Sequence, residues 1–150
     1  MMSPTSPRPT AESAADPRVE VATVDRMATG EVERTAEQFF DGFPDGLKLY
    51  AAVEGAVRDI GDASVHVTKS QIAFRRRKAF AYLWRPGTYV DSTVPAVLSI
   101  VLPYEVQSDR IKSVAHPSPR VWMHHIELQD VREINEEVRH WLTEALLNAS

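Results

Sequence analysis

The chain has no cysteine in its 150 residues. Disulfides, thiolate nucleophiles and cysteine-held zinc or iron–sulfur centres are excluded with it. The absence suits a reducing compartment. Long apolar runs are missing too. The longest, Ala96-Val97-Leu98-Ser99-Ile100-Val101-Leu102, is far short of the roughly 20 residues that cross a bilayer. The opening M-M-S-P-T-S-P-R-P-T lacks the apolar core of a signal peptide. The expectation is a cytoplasmic protein without a membrane partner. No G-x-x-x-x-G-K-[ST] run is present, which removes the phosphate loop, and no G-x-S-x-G, which removes the usual serine elbow.

What is present is ordinary in bulk and uneven in detail. Apolar residues make up 43% and charged residues 25%, the composition of a globular domain long enough to bury a core. The net charge of −4 argues against a protein that coats nucleic acid over its whole surface. Residues 61–90 depart from that balance. They hold Lys69, Arg75, Arg76, Arg77, Lys78 and Arg85 against Asp62 alone, a positive stretch on an acidic body.

Residues 1–28, with Pro4, Pro7, Pro9 and Pro17 and no sustained periodicity, read as a disordered tail. Val19, Val21 and Val24 could add an edge strand. The folded domain is placed at 29–150. Thr29 offers a cap for a helix over 30–40, and Asp45 caps a second whose stripe is Leu47, Tyr50, Val53, Val57 and Ile60. Gly61 ends it, and Gly55 inside it suggests close approach to another backbone. The period then becomes two. Val65 and Val67 differ in parity from Ile72 and Phe74, so Lys69-Ser70-Gln71 must be a bulge or tight turn. Arg75 to Lys78 form the tip of a hairpin whose return strand is Ala79–Arg85, with Phe80, Tyr82 and Trp84 on one face. Val97–Leu102 is apolar on both parities, as in a central strand. Residues 104–119 read as a long polar connection in which Ile111 and Val114 could form a short strand or turn. Arg120–Leu128 is a further strand. Asp130 with Glu133 forms a capping box before a last helix carrying Val131, Ile134, Val138, Trp141, Leu142, Ala145 and Leu146. The sum is an α+β domain in two layers, an antiparallel sheet of four to five strands against two or three helices.

The run V-T-K-S-Q-I-A-F-R-R-R-K-A-F-A-Y-L-W, with F-F-D-G-F-P before it and W-M-H-H-I-E-L and V-R-H-W-L-T-E-A after it, resembles the bacterial domain of unknown function 5655 family. The resemblance covers roughly Ala36 to Leu147. It implies a small domain, free-standing or appended to other modules, some in defence or nucleic-acid settings. It carries no activity and no catalytic residue.

Two surfaces stand out as candidates. In the first, Arg75, Arg76, Arg77 and Lys78, extended by Lys69, Ser70 and Arg85 and further by Arg110, Lys112 or Arg120, contact a nucleic acid, an acidic protein or an anionic small molecule. The plainer account is that these cations only keep a hairpin tip in water. The second is a pocket between sheet and helices using Lys69, Ser70, Trp84, His124 and His125. His124 and His125 are adjacent and point to opposite faces of a strand, which excludes a shared metal ion. His124, among Trp122, Ile126 and Leu128, reads as a core histidine. Asp91 with Glu105-Val106-Gln107 is only a loose echo of a nuclease motif, with Gln where Lys belongs. No cofactor, metal or catalytic residue is assigned. The expectation is a non-enzymatic binding module, with a small-molecule enzyme and a homodimeric interaction domain as alternatives.

Overall fold

The computed structural model describes residues 34–88 and 91–150. The tail at 1–28, the strand at Val19–Val24 and the Thr29 cap lie outside those residues. Six strands form one sheet: β1 (Ser64–Val67), β2 (Ile72–Arg75), β3 (Ala79–Trp84), β4 (Ala96–Leu102), β5 (Ser113–Ser118) and β6 (Val121–Leu128). Their order is β1-β2-β3-β4-β6-β5, and every neighbouring pair is antiparallel. The helices are α1 (Ala36–Phe39), α2 (Pro44–Ile60) and α3 (Glu136–Asn148). The α+β architecture is as expected, with one strand more. That strand is β5, in the polar connection where the sequence suggested only a short strand or turn at Ile111 and Val114; it is exposed along most of its length. Pro117 fits there because an edge strand has no outer partner for its missing N–H.

Strand β4 fixes the two faces. Its pairing sets Leu98 beside Leu83 and Ile126, and Ile100 beside Ala81 and His124. These residues are buried with Val53, Val57, Val138, Leu142 and Leu146 in one core beneath α2 and α3. Each such aliphatic side chain contributes roughly 1.5–3 kcal/mol by leaving water. The alternate residues Val97 and Ser99 stand beside Trp84, Tyr82, Glu127 and His125 on the opposite face, called here the open face.

Local chemistry sets the boundaries, in places differently from expectation. Thr35 caps α1 through Gln38 N, with Gln38 closing the box on the Thr35 N–H, so the helix starts at Ala36. Pro44 stands in the first turn of α2, where its missing N–H costs nothing. Asp45 is therefore inside that turn and not its cap. The Asp130–Glu133 box caps only a 3-10 turn, Val131–Glu133, and Val131 stays exposed. Asn135 is the cap of α3, accepting from Val138 N at 3.1 Å. Phe80 does not share a face with Tyr82 and Trp84. A register shift between Phe74 and Arg75 opposes Arg75 to Ala79, and Phe80 joins the core instead.

Glycine has two contrasting roles in α2. Gly46 lies against the Phe40 ring, where a Cβ would come within 2.5 Å of Cε1. Gly55, the position expected to mark close approach, would place its Cβ in open space. Close approach thus falls at Gly46. At the far end, Gly61 is extended (φ 173°) and its Cβ position is 3.1 Å from Arg76 Nη1. The β2–β3 turn also reaches α3: Arg77 N and Lys78 N donate to Ala149 O at 2.9 and 3.3 Å. In urea unfolding, Gly46→Ala should lose about 1–3 kcal/mol through overpacking. Gly55→Ala should gain about 0.5–1 kcal/mol, because alanine is the better helix former. The reverse order would contradict this packing.

Candidate functional site

One tight turn brings side chains to the open face. In the β1–β2 turn, Thr68 N donates to Gln71 O at 2.9 Å, and Thr68 Oγ1 accepts from Ser70 N and Gln71 N at 3.3 and 3.2 Å. This closed turn explains the parity change at 69–71. It also uses two N–H groups that an anion nest would need. Beyond it, Ser70 and Gln71 meet Tyr82, Trp84 and Pro86 from β3 and the following residue pair, Ser99 from β4, and Met123 and His125 from β6. Together they line a concavity of about 490 Å³, within the range of small-molecule sites. It lies on the face away from α2 and α3, not between sheet and helices as expected.

A hydrogen-bonded chain forms its floor. Trp84 Nε1–H donates to Ser99 Oγ at 2.9 Å, and Ser99 Oγ lies 2.7 Å from His125 Nδ1. The indole and imidazole rings are perpendicular, with centroids 6.1 Å apart. Ser99 is only 1% exposed. A serine beside a histidine suggests a nucleophile and its base, but attack requires a hydroxyl that a substrate can reach. Ser99 is too deeply buried for that, and its role is to hold Trp84 and His125 in fixed orientation. His125 is the titratable group here. Burial lowers its pKa below the ordinary histidine value, and the neighbouring His124 acts in the same direction.

The structure divides the remaining sequence candidates. His124 is on the other side of the sheet, buried in the core, as its apolar neighbours suggest. Its Nε2 accepts from Val106 N at 2.9 Å, so Nδ1 is left to donate to Ile100 O at 3.2 Å. Lys69 adjoins the concavity through Ser70 but does not line it. The cations form two groups. Arg76, Arg77 and Lys78 occupy the β2–β3 turn, with Arg120 in the β5–β6 turn at the same end of the sheet. Lys69, Arg85 and Lys112 belong to the opposite end. Arg85 is engaged already: its guanidinium lies 3.7 Å above the Phe43 ring, and Nη1 donates to Thr88 Oγ1. Arg110 Nη2 donates to Glu133 O at 2.9 Å. Among the described residues no three His, Asp or Glu side chains cluster as metal ligands would.

Ser99 and Gln71 line the concavity without having been expected there as site residues. Ser99 has a signal in retrospect, since a lone hydroxyl in a strand apolar on both parities must find partners when buried. Gln71 has none, because a polar residue at a turn is commonplace.

The lowered pKa of His125 ties stability to pH. Between the ordinary histidine value and the lowered one, the unfolded chain takes up a proton that the folded chain refuses. Stability should therefore fall as pH drops through that window and level off below it. An NMR titration of His125 should show a midpoint below the ordinary value, and His125→Gln should flatten the fall in urea midpoint across the same window. A midpoint at or above the ordinary value would contradict the buried placement.

No helix among the described residues is long and apolar enough to cross a membrane. No curated protein and no solved structure matches the chain. The family model described as domain of unknown function 5655 matches residues 36–148, from the first turn of α1 to the last residue of α3. Two of the four stretches that resemble the family, 67–84 and 122–128, supply six of the eight residues that line the concavity, and the chain belongs to that family.

Proposed function

We propose that this domain is a small-molecule binding module that takes a flat, largely apolar group onto the open face of its sheet. The Trp84–Ser99–His125 chain carries the proposal. It fixes two rings at right angles on the floor of a concavity of ligand size. Tyr82 and Met123 widen the apolar surface on either side, and His125 supplies polarity among them. Aromatic and thioether groups suit a planar guest, through ring contacts and sulfur contacts respectively. The buried Ser99 supports a site that binds and does not cleave.

Thermal-shift screening of small planar heterocycles tests this. A binder should raise the melting temperature by a few degrees when present well above its dissociation constant. Trp84→Leu and His125→Leu should each abolish that shift. A screen without hits, or hits indifferent to both substitutions, would end the proposal.

A second surface has an observation of its own. Arg75, Arg76, Arg77 and Lys78 are all exposed, and among the described residues no carboxylate pairs with any of them. Their turn is held to Ala149, so it offers guanidinium groups from a fixed backbone. That arrangement favours contact with a phosphate-bearing strand. Titration of single-stranded DNA and RNA at two salt concentrations should show steep salt dependence. Replacing Arg75, Arg76 and Arg77 with Ala should reduce the slope by about 2–3 units. Absent or unchanged binding would leave the cations as solvating charge.

A further inference from the structure

We infer that His125 offers its Nε2–H to the concavity as a fixed hydrogen-bond donor, so that the guest is a flat ring system with an acceptor at its edge, such as a ring nitrogen or carbonyl. The inference deepens the proposed pocket and rests on it. It follows from counting protons at Ser99. The indole Nε1–H can only donate, so Ser99 Oγ accepts from Trp84 at 2.9 Å. The hydroxyl proton of Ser99 then needs an acceptor. Its one other partner among the described residues is His125 Nδ1 at 2.7 Å, a distance suited to a strong bond. If Nδ1 carried the proton, a hydroxyl that is 1% exposed would be left without an acceptor, which native interiors avoid. Nδ1 is therefore the acceptor and Nε2 carries the hydrogen. Burial keeps the ring neutral, in line with its lowered pKa.

Nε2 has no partner among the described residues, while His125 lines the concavity beside Trp84 and Met123. A guest with only donors at its edge would oppose N–H to N–H. A guest with a lone pair there would satisfy the imidazole while its ring covers the apolar floor. Trp84 and Ser99 are thus positioning residues that choose the histidine tautomer and, through it, the polarity of the ligand.

Long-range proton–nitrogen NMR on uniformly labelled protein near neutral pH reads the tautomer without any ligand. The expected result is a protonated, pyrrole-type Nε2 and a pyridine-type Nδ1 at His125; the opposite pattern overturns the inference. Quinoline and indole then serve as probes, being flat bicycles of nearly equal size, the first with a lone-pair nitrogen and the second with an N–H. Quinoline should bind roughly tenfold more tightly, as expected for one satisfied hydrogen bond in a partly buried site. Ser99→Ala, with folding checked by its melting curve, should erase the preference and give mixed tautomers. Equal binding, or a preference for indole, overturns the donor assignment alone. Failure of both probes to bind, with Nε2–H observed, overturns the pocket and the ligand class together while the tautomer stands. If Ser99→Ala does not fold, the wild-type tautomer and the probe ratio decide the matter.

Discussion

The structure depends on a strand that must be covered on both sides. All but one residue of β4 is buried, and α2 and α3 can cover only one face of the sheet. The other face needs cover from its neighbours, and β3 and β6 provide it with Trp84, Tyr82, Met123 and His125. Large rings laid over a flat strand cannot fill space as evenly as interdigitated aliphatic side chains do. A concavity bounded by rings is the geometric residue of that arrangement. The one hydroxyl in β4 follows the same logic. Buried polar groups must be bonded, and Ser99 meets the requirement by linking the covering rings to one another. The feature that looks most like function thus grows out of the solution to a packing problem.

That origin explains what was legible in the sequence. Strands β2, β3 and β6 were readable from β-branched and aromatic residues at alternate positions, β4 from a run apolar on both parities, and α2 and α3 because their apolar stripes are long. Strand β5 was foreshadowed only as a short strand or turn around Ile111 and Val114, because an exposed edge has no apolar side to mark its length. The start of α3 shifted because Asn135 caps it directly, while the Asp130–Glu133 box caps only the 3-10 turn before it. Phe80 was assigned to the wrong face because a register shift overrides alternation, and no residue at the Phe74–Arg75 step announces it. At the site, Trp84 and His125 could be named from their residue types. Their joining through Ser99 required the register of three strands.

The basic run shows how context changes the meaning of a charge cluster. Read along the chain, Lys69 to Arg85 is one patch. Folded, the strand between the two turns carries its cations to opposite ends of the sheet. Arg76 to Lys78 then lie where α2 and α3 end, and α3 has no basic residue in its last turn. A helix C-terminus carries partial negative charge on its unpaired carbonyls. Cations held there complement it from another element, so part of the charge has a role in the fold whatever partner it meets.

The bond from that turn to Ala149 also orders events in time. Strands β2 and β3 are neighbours in sequence and can pair as soon as both have left the ribosome. Their turn finds its carbonyl only once all of α3 has been made and docked. During synthesis the hairpin must wait with its cations unanchored and with only α2 of its two covering helices already made. This bond joins distant parts of the chain, the kind of contact that loop entropy makes slow to form. A nascent chain stalled before residue 149 would hold the hairpin between β1 and β4 but lack the carbonyl that receives its turn.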